Sequence, residues 1–275
     1  MATEQRKLRS LSWMLTAISR GLILRDRLRG ITRGLRRHDA RQEYFITSGT
    51  RKLSCVYVPG IEAAPAVLLC HGIGETVEHW SAVQALLRDH DIGSLIFNYS
   101  GYGKSSGRVR AEHCDEDLVT AYTELRRQVG AQTPVFVLGF SLGSGIAAHG
   151  IAALHPPPAG LFLCEAFDSF REAASAAGLP RRLARMLPDV WVTVANMEQV
   201  QIPVWVIHSD GDRLFPLEMP RKIAKACGQW GELIVLEGFT HNEPILTASE
   251  TYWQPIIERI KRSTAIAESK LEGNS

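Results

Sequence analysis

The chain has 275 residues, 45% hydrophobic and 22% charged, with a net charge of +2. That balance fits one large globular α/β domain and gives no reason to expect a nucleic-acid partner. Five cysteines (Cys55, Cys70, Cys114, Cys164 and Cys227) are odd in number, far apart and without a C-x-x-C pair. They read as reduced core filling, with no disulfide frame, zinc site or other metal centre, and the cytoplasm is the expected compartment.

Charge is distributed unevenly. Residues 1–40 carry +7, which leaves −5 on the rest of the chain. Within this arm Leu11 to Leu24 is apolar but broken by Arg20, too short and interrupted to span a bilayer, and no small-x-small cleavage site follows it. Two readings stay open: an amphipathic helix giving peripheral membrane contact through residues 1–40, or a basic helix or frayed arm packed on the domain.

Glu43–Thr47 and Lys52–Val58 alternate around Ser48-Gly49-Thr50, which predicts a hairpin. Ala66–Cys70 is a continuous apolar run, the signature of a strand buried on both faces. Thr76 to Asp89 has helical spacing through Trp80, Val83, Leu86 and Leu87. The next buried strand, Gly93–Tyr99, opens into the glycine-rich loop 100–107, and Glu112 to Val129 is an amphipathic helix with an acidic start. That loop is not read as a phosphate cradle, because its Gly103-Lys104-Ser105 does not open a helix as the Gly-Lys-Ser/Thr ending of a P-loop does.

Val135–Phe140 is a strand that runs into Gly139-Phe140-Ser141-Leu142-Gly143, followed at once by a small-residue helical segment. Strand, sharp turn and helix in that order are the context that lifts a serine hydroxyl off a sheet end. Side chains at positions 139 or 143 would crowd so tight a turn. Further on come a strand at Leu161–Cys164, helical turns over 168–200 interrupted by Pro180 and Pro188, and a strand at Val204–His208. A helix at Leu217–Cys227, a strand at Glu232–Leu236, a closing helix at Ile245–Ile260 and a loose polar tail complete the pattern. Strands alternating with helices after a hairpin predict a doubly wound, mostly parallel sheet with helices on both faces.

In such a sheet functional groups gather at the carboxyl ends of the strands. Those ends offer His71-Gly72-Ile73, then Ser141, then His208-Ser209-Asp210-Gly211-Asp212, then Thr240-His241-Asn242. Serine, acid and histidine in that chain order resemble the α/β-hydrolase arrangement. Residues 43–262 are similar to a single-domain α/β-hydrolase fold with a short helical cap: His71-Gly72 matches the family's oxyanion strand, and Asn98–Ser105 its glycine-rich loop. The acid-bearing loop is matched by His208–Asp212 with Pro216 beyond. The chain departs from the family at Asn98, where Asp is common, and at Ser209, where Gly is common.

The resemblance implies a domain over 41–265, a cap over about 168–200 and a polar tail over 266–275. It implies Ser141 as nucleophile, His241 as base and Asp212 as orienting acid, with backbone N–H groups of Ile73 and Leu142 facing the oxyanion and no cofactor. Asp210 competes with Asp212, but the spacing from His208 and Pro216 favours Asp212. Asp168 reads as the N-cap of the segment beginning at Ser169. His71 reads as a loop brace, His208 as structural, and His149 and His155 as surface residues. Phe170, Met186 and Trp191 are the expected acyl-chain contacts on the inner face of the cap, while Arg171, Arg181, Arg182 and Arg185 read as a solvated face or an anionic head-group site. The expected activity is hydrolysis of carboxylic esters or thioesters with a small-molecule or lipid-like acyl substrate. Acyl transfer, peptide cleavage and a non-catalytic binding protein of the same fold remain alternatives.

Overall fold

The computed structural model of the protein describes Ser12, Leu15, Ile18, residues 40–61 and residues 64–272, with side chains through Ile266. The first two strands, β1 (Gln42–Ser48) and β2 (Arg51–Val58), form an antiparallel hairpin around Gly49-Thr50. Gly49 sits at φ +57, the left-handed region that a tight hairpin turn needs and glycine adopts at no steric cost. There follow β3 (Ala66–Cys70), α1 (Ser81–Asp89), β4 (Gly93–Phe97), α2 (Ala111–Val129), β5 (Val135–Phe140) and α3 (Leu142–Gly150). After β6 (Gly160–Cys164) come three short helices, α4 (Phe170–Ala176), α5 (Arg181–Ala184) and α6 (Thr193–Met197). The chain then returns to the sheet with β7 (Val204–Ser209), α7 (Glu218–Ala226), β8 (Gly231–Leu236), α8 (Glu243–Thr247) and α9 (Glu250–Glu272).

All eight strands lie in one sheet, in the order β1-β2-β4-β3-β5-β6-β7-β8. Pairing is antiparallel from β1 to β4 and parallel from there on. Successive residues of a strand point to opposite faces, so a strand that is apolar throughout must be covered on both. Leu68, Val137, Leu163 and Val206 pack on one face with α2, α3 and α7. Val67, Leu69, Phe136, Leu138, Phe162 and Ile207 pack on the other, under α1 and the Trp253, Ile256 and Ile260 side of α9. Burying each such side chain is worth about 1.5–3 kcal/mol, and this two-sided core fixes the strand positions.

Register carries that rigidity to the strand ends. Cys70 stands opposite Gly139, Phe140 opposite Cys164, and Cys164 opposite Ile207. The ladder continues one step past the strands: Ser141 N–H donates to Cys164 O (3.0 Å), Glu165 N–H to Ile207 O (3.0 Å) and Asp210 N–H to Leu236 O (2.9 Å).

Three expectations need correction. The helix expected from Thr76 starts at Ser81, because local polar groups claim the preceding turn. Thr76 N–H donates to His79 Nδ1 and Val77 N–H to Asn98 Oδ1. The closing helix is two helices, broken where Ala248 adopts φ +47. The tail expected to be loose is helical through Glu272. Most of the basic arm lies outside the described residues, as does its expected membrane contact. At its described points Ser12 Oγ–H donates to Val109 O and Leu15 is buried in the core. No helix among the described residues is long and apolar enough to cross a membrane.

Candidate active site

The turn between β5 and α3 shows why glycine stands on both sides of Ser141. A Cβ on Gly139 would lie 2.3 Å from Gly143 O, and one on Gly143 would lie 2.0 Å from Cys70 O. These are backbone atoms of the turn and of the neighbouring strand, so they cannot yield as a side chain can. Ser141 itself is held at φ +52, an unfavourable region for a residue with a Cβ. The Ser144 hydroxyl donates to Ser141 O (2.6 Å) and braces the turn from within the helix.

Ser141 Oγ lies 3.0 Å from His241 Nε2, and His241 Nδ1 lies 2.7 Å from Asp212 Oδ2. All three side chains are buried or nearly so. An ionised carboxylate only accepts hydrogen bonds, so His241 Nδ1 carries the hydrogen and Nε2 is left to accept from the serine hydroxyl. The other carboxylate oxygen, Asp212 Oδ1, accepts from the N–H groups of Leu214 (2.7 Å) and Phe215 (3.1 Å). Burial works against the Asp212 charge, but the hydrogen bond and charge of His241 and the two backbone donors outweigh it and hold this carboxyl below its usual range. Phe215 and Phe140 pack against the imidazole at ring distances of 5.1 and 5.6 Å and fix its plane.

The rival residues take structural positions. Asp210 Oδ1 accepts Gly238 N–H (2.8 Å) and ties β7's loop to β8's. His208 donates from Nε2 to Phe215 O (3.0 Å), and burial lowers its basicity. His71 packs tilted against Tyr99 and edge-on to Tyr102, and its burial lowers the ring to about 3 despite the contact of Nδ1 with Gly72 O. It stays neutral. His149 pairs with Asp115 at the surface (3.0 Å). Loop 100–107 is braced to β2 through Ser105 and Ser106, which accept the N–H groups of Ser54 and Lys52.

The oxyanion side is built by close approach. A Cβ on Gly72 would lie 3.2 Å from Ser141 Cβ, so the loop carrying Ile73 presses directly on the serine turn. Gly72 N–H donates to Glu75 Oε2 (2.9 Å), which also accepts from Trp80 Nε1 (2.8 Å), and this fixes the loop. Leu142 opens α3, where a helix leaves its first N–H groups without intrahelical acceptors.

The cap differs from expectation in three places. Asp168 is not the N-cap: Ser169 is, accepting Glu172 N–H at 3.3 Å, while Asp168 Oδ2 accepts from Lys222 Nζ (3.0 Å) and ties the cap to α7. Arg171 is spent on the cap itself, donating from Nε and from an η nitrogen to Leu187 O (3.0 and 2.9 Å) and pairing with Asp189. Met186 is 65% exposed and so lies away from an inner face. Phe170 and Trp191 are buried and meet edge to face. Contacts run on from Phe170 to Phe167, from Phe167 to Phe215 and from Phe215 to His241, an apolar path from cap to imidazole. Sequence reading missed Phe215 and Glu165. Phe215 stood three residues past the acid with nothing to mark it, and Glu165 stood at the end of an apolar run.

A serine hydroxyl facing an imidazole that a buried carboxylate orients, at the strand ends of an eight-stranded, mostly parallel sheet, is the layout of the α/β hydrolases. The family described as alpha/beta hydrolase fold matches residues 65–176. An uncharacterized Mycobacterium tuberculosis protein, Rv2307c, is 28% identical over 67% of this chain and 65% of its own length. The zebrafish (Danio rerio) protein named Lysophosphatidylserine lipase ABHD12 is 24% identical over 60% of this chain and 48% of its own, so the chain spans about half of that relative. An alpha-beta hydrolase from Vibrio vulnificus superposes with a TM-score of 0.69 at 20% identity, covering 80% of this chain and 81% of the other. The chain has the α/β-hydrolase fold.

Proposed function

We propose that the protein is a serine hydrolase that cleaves carboxylic esters or thioesters of a lipophilic acyl group, with Ser141 as nucleophile, His241 as base and Asp212 as orienting acid. The observation that carries this reading is the unbroken relay from Asp212 through His241 to Ser141, with spacings of 2.7 and 3.0 Å. Ser141 Oγ attacks the acyl carbon while its proton passes to His241 Nε2. The carbonyl oxygen becomes an oxyanion facing the N–H groups of Leu142 and Ile73, each worth about 2.7–4 kcal/mol of transition-state stabilisation. The intermediate collapses, His241 returns the proton to the departing alcohol or thiol, and Ser141 keeps the acyl group. Water then repeats the sequence and frees the acid and the serine. The aromatic path from His241 to Phe170 supports an apolar acyl chain. The lipase name of the zebrafish relative supports a lipid ester as substrate.

Labelling by a fluorophosphonate probe tests the reading. The native chain is expected to label and Ser141→Ala not to, after which p-nitrophenyl esters and acyl thioesters of increasing length define the acyl preference. A folded native chain that does not label overturns the hydrolase assignment and puts a binding protein in its place.

A further inference from the structure

A second carboxylate stands behind the first. Glu165 follows β6 directly, has no solvent exposure and holds φ +45. Both features are costly: a left-handed backbone strains a residue with a Cβ, and a buried carboxylate loses its hydration. The surroundings offset this in part. Glu165 Oε1 accepts from Ser209 Oγ–H (2.6 Å) and Tyr252 O–H (3.1 Å), and Oε2 accepts from Ser209 N–H (3.2 Å).

No lysine or arginine among the described residues is ion-paired with it. The groups facing it are His208 and Ser209 from β7, Asp212 from the loop beyond, His241 from the loop after β8, Tyr252 from α9 and its own neighbour Cys164. His208 Nδ1 is 3.3 Å away, but burial lowers the basicity of that ring. Burial also keeps Cys164 and Tyr252 neutral by raising both far above their usual range. The remaining cation within reach is the one that forms on His241. One ligand atom each from Glu165, Asp212 and His241 fall within 4.8 Å of one another.

Ser209 supports the same conclusion. It is one of the two positions where the sequence departs from the family it resembles, which commonly carries glycine there. A glycine would offer Glu165 one donor, the N–H; serine offers two. The departure makes sense as a means of holding a charged carboxylate.

We propose that Glu165 is a positioning residue for His241, a second acid whose charge, placed by Ser209 and Tyr252, stabilises the imidazolium formed when Ser141 gives up its proton. This rests on the hydrolase reading above. Burial first, with the neighbouring Asp212 charge adding to it, raises the Glu165 carboxyl to about 7 against the Ser209 hydrogen bonds and His241. The support is therefore present above that pH and fades below it.

Glu165→Gln keeps the size and one acceptor while removing the charge. The acid limb of its kcat/KM profile between pH 5 and 9 is expected to move to lower pH by about one unit, because the imidazolium has lost a stabilising charge. The NMR signal of the His241 imidazole should change at correspondingly lower pH. That signal does not depend on turnover, so a chain that never labels with fluorophosphonate sinks the hydrolase reading and leaves this test standing. A limb and an imidazole signal that stay in place, whatever happens to the rate, overturn the proposal and make Glu165 a structural tie. Ser209→Ala decides the matter if the Glu165 variant does not fold: a smaller shift in the same direction supports the proposal, and no shift overturns it.

Discussion

The strand-end loops and the cap face each other across the site, and they are built differently. At the strand ends, hydrogen bonds that extend the sheet ladder hold Ser141, Glu165 and Asp210 in line, and glycines let backbone meet backbone. In the cap, three short helices are tied down at a few points: Arg171 to Leu187 O, Asp168 to Lys222, and Phe170 against Trp191. Leu183 is 50% exposed, and Gly178 has nothing within 4 Å of the position a Cβ would take. On the proposed hydrolase reading, the difference separates two tasks. Fixed geometry belongs where bonds change, since hydrogen-bond reach tolerates little error. A surface that admits different acyl groups can be looser.

The largest effect should come from the acid. Asp212 holds the imidazole tautomer that lets Nε2 accept, and Asp212→Asn is expected to lower kcat/KM by about 10³–10⁴. Asp210→Asn, two residues away, alters a side chain that accepts Gly238 N–H and should stay within about threefold, as expected for a surface tie. Hydrolysis of a p-nitrophenyl ester by both variants, with circular dichroism to check folding, measures the contrast. Equal losses would mean that the loop and not the carboxylate is what matters.

Much of the strand-end region was legible in the sequence because its constraints are local. The run Val135–Phe140 and the glycines around Ser141 act over a few residues, and parallel-sheet topology carries the other strand ends to the same edge. What stayed hidden depends on distant partners. Glu165 takes its donors from Ser209 and Tyr252, 44 and 87 residues further along the chain. Asp168 looked like an N-cap because only its neighbours were visible; Lys222 is 54 residues away. The start of α1 at Ser81 was hidden for the same reason, since Asn98 competes for Val77 N–H. Met186 has an apolar side chain in a stretch that mixes arginine with apolar residues, and composition does not say which way the turn after α5 points it.

Paired glycine substitutions should give the next largest contrast. Gly143→Ala places a Cβ 2.0 Å from Cys70 O in a turn with no room to relax, and a loss of about 3 kcal/mol or more is expected. Gly178→Ala in the cap meets no atoms, and only its φ of +100 opposes it, so about 1 kcal/mol is expected. Urea midpoints of the two variants rank them directly. A reversed order would mean that the cap is the more tightly built region.

The smallest effect is expected at Met186, and it tests whether the looseness of the cap persists with substrate bound. At 65% exposure the side chain contributes little to the fold, so Met186→Ser should leave stability within about 0.5 kcal/mol of the native chain. If the cap keeps this arrangement during turnover, KM for a butyryl ester and for a dodecanoyl ester should both change by less than about twofold, because an exposed side chain has little apolar contact to lose. A rise in KM confined to the dodecanoyl ester, with kcat unchanged, would show that the cap folds Met186 over the chain when it binds. The contrast between fixed strand ends and loose cap would then describe only the free protein. The apolar path from His241 through Phe215 and Phe167 to Phe170 would extend to Met186 in the bound state.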